Sequence, residues 1–474
     1  MNKKKEKIKV NFVGANSDQV TGSCIHIEMQ EKQILLECGL MQGGKTILED
    51  YKNAVKKFDF NPSKIDYVFV CHAHIDHTGL LPRLIKEGFC GKIIVPKGNK
   101  KIIYELCKDC AFIMFKDCEA LKKKFKDRIF IPAYNEQHVS QMMDYIVEYD
   151  MDENFELDEN VSFSFCDSQH IICSAQLSLW LNQNNHIKKI IYTSDLGNVA
   201  IKNNFVNNIQ KLSKANLLIG EATYCEVSKK LLQKHREKDL EKIQCVINQC
   251  SENRTSCLIP TFSLHRTQEM ITEIYKLYKD SNIKIDFIIA SPLANKICDI
   301  FLDILTGEEL ELFKEVMSWE KLKRIRDYDK VIEMLEDKNP HVWLASSGFM
   351  TAGYSRSICA HLLGNSKNTI ILSGYAPEGS LAYKIKNGTT KTITIDNKVC
   401  KNLASAIVLK SFSSHMQYYD LLKYYSDFNV EKICIVHADK KQKLEFCKVL
   451  QEEIYKKNKT QRVVCVTNGT SIKL

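Results

Sequence analysis

The sequence predicts an α/β protein of more than one domain. Three observations carry this. The chain has 474 residues, too many for one simple core, and its 44% hydrophobic and 26% charged content suits a folded globular protein. Residues 67–96 read as strand, His-rich polar loop, helix, strand. From about residue 215, strand-like runs (217–219, 257–260, 287–290, 343–345, 369–372) alternate with helical ones (229–250, 266–279, 294–305), as in a parallel, doubly wound sheet.

The remaining elements follow in order. Residues 8–40 read as short strands and turns (VNFVGA, SCIHIEMQ, QILLECGL), and 99–150 as helical and Lys-rich. Residues 161–166 and 189–193 are strand-like, and each leads into a polar, ligand-type side chain. After about residue 400 the pattern returns to strand, polar loop, helix, strand.

Composition narrows the function classes. No apolar run approaches the length of a membrane span. The start, MNKKKEKIKVNFVG, lacks the apolar core and cleavage site of a secretory signal. Nineteen cysteines are scattered without framework spacing. Together these predict reduced thiols in a cytoplasm. Cys107 and Cys110 make one C-x-x-C, but on a helical pattern and without a second pair, so a zinc knuckle is not expected. The net charge of +9 permits a polyanionic substrate without demonstrating one.

The segment 70–82, VCHAHIDHTGLLP, carries the chemistry. His72, His74, Asp76 and His77 form an H-x-H-x-D-H cluster between a β-branched apolar run and an apolar periodic one. Four metal-type ligands within six residues, on a strand-to-helix turn, suit a metal site better than a His-rich surface turn. Further ligands are needed to close such a site. His170 after FSFCDSQ, Asp195 in IIYTSDLGN and His437 ending EKICIVH each stand at the end of an apolar run. Singly, each is unremarkable.

Taken in order, ILLECGLMQG, HAHIDH, His170 and SDLGN resemble the metallo-β-lactamase superfamily. LLIGEATY (217–224), LIPTFSLHRTQEM (258–270), SPLANK (291–296), ASSGFMTAG (345–353), SGYAPEGSLAYKI (373–385), SFSSHMQ (411–417) and IVHAD (435–439) resemble its β-CASP branch of nucleic-acid-processing nucleases. The resemblance spans nearly the whole chain. It implies an αββα sandwich interrupted by an α/β cap, with the sandwich at 1–210 and 401–474 and the cap at 211–400.

The resemblance also implies roles. One Zn2+ would be held by His72, His74, His170 and Asp195, and a second by Asp76, His77, Asp195 and His437. Asp195 would bridge the two. His415 would be a general acid on the cap side, with Glu221 as its carboxylate partner. Asp76 would also orient the nucleophile. Glu37 stands where the family usually has Asp, and would support the metal loop. QHIICS (169–174) replaces a Gly-rich sequence, and SSHMQ (413–417) replaces a form with Ala before the His and an acid soon after. Arg266, Ser346, Ser347 and His361 are candidate phosphate contacts, and Tyr375 and Tyr383 candidate base-stacking rings; packing or salt-bridge roles suit these residues equally.

The implied activity is hydrolysis of RNA phosphodiester bonds to 5′-phosphate and 3′-hydroxyl ends, by an endonuclease or a 5′-exonuclease. His437 favours RNA, because DNA-repair members typically lack a His there. A DNA nuclease of the same branch and an inert RNA-binding subunit are the alternatives, although every ligand position is filled. A small-molecule hydrolase fits the long cap less well. RNA is the expected partner, with a homodimer by analogy to prokaryotic relatives.

Overall fold

The structure is a computed structural model describing residues 7–474 except 45, 202, 213, 227–235, 338, 375, 377–378, 389, 397 and 458. The chain forms two compact units. The first is Met1–Lys202 with Val206–Leu231 and Ser414–Leu474; the second is Asn203–Phe205 with Leu232–Ser413.

Two seven-stranded sheets make the first unit. One runs Ser471–Lys473, Lys9–Phe12, Ile25–Glu28, Gln33–Leu36, Tyr67–Phe69, Lys92–Pro96, Ile146–Tyr149. The other runs Arg462–Cys465, Val430–Val436, Ala215–Glu221, His186–Tyr192, Ala175–Gln183, Val161–Asp167, Phe155–Asp158. Period-two patterning sets their facing sides. Val161, Phe163 and Phe165, then Leu177, Leu179 and Leu181, join Val10, Phe12, Ile25, Ile27, Phe69 and Ile94 in one buried cluster. The alternate residues Ile191, Leu218, Ile433 and Ile435 instead pack with Leu421, Tyr425, Phe446 and Leu450 of the helices Tyr418–Asp427 and Lys440–Lys456. Both faces of the second sheet are thereby covered.

Several of these strands are parallel. Gln33–Leu36, Tyr67–Phe69, Lys92–Pro96 and Ile146–Tyr149 pair in parallel, as do His186–Tyr192, Ala215–Glu221, Val430–Val436 and Arg462–Cys465. Parallel strands end together, so the loops after Phe69, Tyr192, Glu221 and Val436 gather at carboxyl ends, where open α/β sheets present their sites.

The second unit holds a six-stranded parallel sheet in the order Leu322–Ile325, Asp286–Ala290, His341–Ala345, Cys257–Pro260, Thr369–Leu372, Ser405–Val408. Leu258, Ile288, Trp343 and Ile370 anchor its core against helices including Tyr354–Leu362 and Leu381–Asn387. Among the described residues no helix is long and apolar enough to cross a membrane.

Three sequence expectations shift. Ala215–Glu221 was expected within the cap, but it is an inner strand of the sandwich, paired on both sides. Conversely, Ser405–Val408 was expected in the sandwich, yet it forms the edge of the second unit's sheet. A short apolar run reads the same in either sheet, so its length and composition cannot assign it. Within 99–150, expected to be helical, the helices are Asn99–Lys124 and Glu136–Met142, and Ile146–Tyr149 is an edge strand.

Candidate active site and metal centre

The buried strand Tyr67–Phe69 delivers the chain to the cluster. His74 precedes the short helix Ile75–Thr78, and Thr78 Oγ1 donates to the His74 carbonyl at 3.0 Å. This turn aims Asp76 and His77 back towards His72. Gly39 is required beside it, because a Cβ there would lie 1.6 Å from the Asp76 carbonyl oxygen. Gly197 does the same for the His170 loop, where a Cβ would lie 1.9 Å from the Gln169 carbonyl oxygen. Ser174 Oγ accepts from the backbone N–H groups of His170 and Ile171, both at 3.1 Å, and so fixes that loop.

Among the described residues the donors converge as His72, His74, His170 and Asp195, then as Asp76, His77 and His437, with Glu37, His72 and His77 forming a third, overlapping set. In the first, His72 Nε2 lies 3.1 Å from His74 Nδ1, and His170 Nε2 lies 3.4 Å from the same atom. Asp195 Oδ2 lies 3.6 Å from His72 Nε2 and 3.5 Å from His170 Nε2. A tetrahedral site with bonds of about 2.0–2.1 Å has ligand–ligand edges of about 3.3–3.4 Å. The four donors therefore fit such a site.

In the second group, Asp76 Oδ2 lies 3.3 Å from His437 Nε2 and 3.8 Å from His77 Nε2. Asp195 Oδ1 lies 3.5 Å from His77 Nε2 and 3.6 Å from His437 Nδ1. This carboxylate oxygen is buried and has no hydrogen-bond partner. Such groups are costly unless something else satisfies them, and a cation between the donors would do so. Burial pushes the His72 and His170 imidazoles well below their usual pKa, and His74 down to about 4. They are thus neutral, the form that offers a lone pair. Burial raises Asp195, but His437 and His77 lower it further, and the net shift is well downward.

Three sequence models match the chain in order. They are the metallo-beta-lactamase superfamily at residues 18–106, the Beta-Casp domain at 267–385, and the Zn-dependent metallo-hydrolase RNA specificity domain at 404–461. The chain belongs to the β-CASP branch of the metallo-β-lactamase superfamily. It is therefore a hydrolytic enzyme of a nuclease family whose fold implies a divalent metal.

The β-CASP chain is 25% identical to transcription termination factor FttA of Methanocaldococcus jannaschii, over 95% of this chain and 70% of that one. It is 26% identical to the RNase J-like protein of the same organism, over 90% and 92%, and 24% identical to Integrator complex subunit 11 of Gallus gallus, over 95% and 72%. A crystal structure of a protein of unknown function from Enterococcus faecalis shares the fold, with a TM-score of 0.53 and 15% identity over 99% of this chain and 100% of that one.

His415 and Glu221 lie beside the donors. His415 Nδ1 is 3.4 Å from Glu221 Oε1, and its ring centroid is 4.5 Å from that of His170. Glu221 is itself held, accepting from the N–H groups of Leu196 at 3.2 Å and Thr223 at 2.6 Å. Burial pushes the His415 pKa down, but Glu221, Asp195 and Asp76 raise it more, and the net shift is upward. His415 belongs to the first unit, where it bridges to Gly197.

Glu37 supports the loop from behind. Its carboxylate accepts from the Cys71 N–H at 3.2 Å and from Ser194 Oγ at 3.2 Å, and lies 3.3 Å from His77 Nδ1. Thr223 is a site residue that sequence reading missed: its Oγ1 lies 2.8 Å from His437 Nδ1. The only signal for it was its place two residues after Glu221, in LLIGEATY.

The four candidate phosphate contacts all lie in the second unit. Ser346 Oγ lies 2.7 Å from Ser263 Oγ, Ser347 Oγ accepts from the Thr351 N–H at 3.1 Å, and Arg266 Nη1 donates to the Ser373 carbonyl at 3.0 Å. These three gather where strands Cys257–Pro260, His341–Ala345 and Thr369–Leu372 end. His361 does not join them. Its helix starts at that edge, with the Ser355 N–H on the Ser346 carbonyl, and carries His361 about 9 Å further along, where it is exposed. Tyr383 is half-buried against the second unit's core, on a helix. Tyr375 lies outside the described residues.

Proposed function

We propose that this protein is a two-zinc ribonuclease that hydrolyses RNA phosphodiester bonds to 5′-phosphate and 3′-hydroxyl ends. One observation carries the reading: the two oxygens of Asp195 face two separate donor groups, with His415 alongside. In this reading His72, His74, His170 and Asp195 hold one ion, and Asp76, His77, His437 and Asp195 hold the other. Bound there, zinc would lower the pKa of a water from about 15.7 towards roughly 7 and offset charge on the phosphoryl oxygens.

The protein's own groups do the remainder. Asp76, the most open of the donors' carboxylates, orients the attacking water. Glu221 fixes the His415 ring through Nδ1 and leaves Nε2 to carry the proton. Burial lowers the His415 pKa, and Glu221 with Asp195 and Asp76 turns this into a net upward shift, which favours the protonated form that can donate to the departing 3′-oxygen. Arg266, Ser346 and Ser347 are proposed phosphate contacts. The RNA preference is supported by the RNA specificity model over 404–461 and by the name of the RNase J-like relative. A cytoplasmic location and a homodimer complete the reading.

The test incubates metal-replete protein with RNA and matched single-stranded DNA, labelled at either end, with 5′-hydroxyl and 5′-monophosphate versions. Internal fragments from RNA alone mark an endoribonuclease. Mononucleotides released only from 5′-monophosphate ends mark a 5′-exonuclease. Protein with two bound zincs that cuts neither polymer overturns the proposal.

A further inference from the structure

Several cysteines meet sulfur to sulfur, and the proposed chemistry uses none of them. Cys24 with Cys38 and Cys250 with Cys257 are buried on both sides. The pair Cys447 and Cys465 differs. Cys447 is buried, but Cys465 is half-buried and stands on Arg462–Cys465, the edge strand of its sheet.

The packing of helix on strand sets this pair. Lys443, Cys447 and Gln451 stand four residues apart on the helix Lys440–Lys456, so they share one side. Lys443 Nζ donates to the Val466 carbonyl at 2.6 Å. One turn beyond Cys447, Gln451 Oε1 accepts from the Val463 N–H at 2.8 Å, and its Nε2 donates to the Gln461 carbonyl at 3.0 Å. These bonds before and after Cys447 place it opposite residues 464 and 465. Val464 turns into the sandwich core, whereas Val463 and Cys465 turn to the helix side, by the two-residue period of a strand. The Cys447 thiol therefore meets the Cys465 sulfur and hydrogen-bonds to it.

The two thiols are chemically unequal. The hydrogen bond from Cys447 lowers the Cys465 pKa most, burial opposes it and Lys443 adds to it, leaving Cys465 at about 7. The same hydrogen bond, with burial, raises Cys447. Cys465 is thus a nucleophile with solvent access, and Cys447 is a thiol held behind it, the arrangement of a redox-sensing pair.

Lys443 also ties the pair to the metal donors. Its Nζ donates to the Ser17 carbonyl, and the adjacent Asn16 carbonyl accepts from the His437 N–H at 2.7 Å. Cys465 itself pairs with Ile435, two residues before His437.

We propose that Cys447 and Cys465 are a reversible oxidation site, where hydrogen peroxide forms a disulfide that loosens the His437 position through Lys443. The Cys465 thiolate attacks one peroxide oxygen, the O–O bond breaks, and hydroxide leaves, giving a sulfenic acid. The Cys447 sulfur then attacks the Cys465 sulfur. The S–S bond forms at about 2.05 Å, the S–O bond breaks, and the Cys447 proton leaves with that oxygen as water. Two electrons pass from two thiols to one peroxide, which becomes two waters. Closing the bond draws the Cys447 turn towards the strand and shifts Lys443, one turn before it, off the Ser17 carbonyl. The link to His437 rests on the two-zinc reading; the disulfide does not.

The test adds hydrogen peroxide at near-equimolar amount to metal-replete protein, alkylates the free thiols and maps the peptides. The parent should yield a linked Cys447–Cys465 peptide, two hydrogens lighter than its parts, that dithiothreitol separates. Both thiols free in a sample whose exposed Cys90 is oxidised overturns the site, as does either thiol linked to a third cysteine. In Cys447→Ala, dimedone should trap a sulfenic acid at Cys465; no adduct there overturns the assigned nucleophile. Alkylation of Cys465 in that same reduced parent should reach half its maximal rate near pH 7, and a midpoint at the usual thiol value of about 8.5 contradicts the pairing. For the link, competition with a chelator should show the second metal held about 10–100-fold more weakly after oxidation, with Cys447→Ala/Cys465→Ser indifferent to peroxide. Equal affinity before and after oxidation overturns the link to His437. A parent that binds no metal fails the two-zinc reading by itself, and the peptide map still decides the disulfide.

Discussion

His72, His74 and His170 close around one oxygen of Asp195, while Asp76, His77 and His437 surround the other, and the two groups are built differently. The first comprises three imidazoles and a carboxylate oxygen whose separations, 3.1–3.6 Å, match a closed tetrahedron. In the second, Asp76 Oδ2 lies 3.3 Å from His437 Nε2 and 3.8 Å from His77 Nε2, Asp195 Oδ1 lies 3.5 Å from His77 Nε2, and the Asp76 side chain is 17% exposed. This group also leans on outside supports, Glu37 behind His77 and Thr223 beside His437. Each set has one half-buried member, His74 in the first and Asp76 in the second, and the first is braced too, with Ser194 Oγ 3.3 Å from His72 Nδ1.

The comparison breaks most severely at the residue that joins the groups. Asp195→Asn should empty both positions and abolish cleavage, checked by metal analysis alongside activity. Retention of one full metal equivalent would show that the carboxylate is not shared. Replacing a ligand private to one group should separate them: His437→Ala should lose about one equivalent and leave the other. Finding both ions gone would make the two groups one cooperative unit.

His415→Ala tests a group outside both sets. Metal content should stay at the parent value while kcat falls about 10²–10⁴-fold. Parent-level cleavage at saturating zinc would remove His415 from the proton-transfer role. The smallest expected effect concerns the braces. Glu37→Gln and Thr223→Val should each weaken the second position about 10–100-fold in metal affinity and leave the first unchanged, read by competition with a chelator. Equal weakening of both positions would contradict the assignment of these supports to one side.

How much of this was legible in sequence depended on distance along the chain. The H-x-H-x-D-H run was visible because four donors fall within one turn-sized segment. His170, Asp195 and His437 were visible only as members of an ordered series, since a strand-end His or Asp alone has many uses. Thr223 stayed hidden, because its contact with His437 joins residues 214 apart and a hydroxyl beside a carboxylate has no spacing signature. Ser174 stayed hidden for the opposite reason: its bonds to His170 and Ile171 are local, but serine makes such bonds in many unrelated turns. The misplacement of Ala215–Glu221 has the same root, as a buried run does not reveal which neighbours flank it.

By itself, the sequence determined the donor chemistry and the alternation of apolar side chains that folds two sheets face to face. These are local properties, set by residue type and by the two-residue period of a strand. Only the tertiary structure decided that Thr223 would stand at His437, and that Ser405–Val408 would join the second unit's sheet while Ala215–Glu221 joined the sandwich. Those outcomes depend on strands and loops distant in the chain arriving side by side, where packing rather than spacing sets which atoms meet.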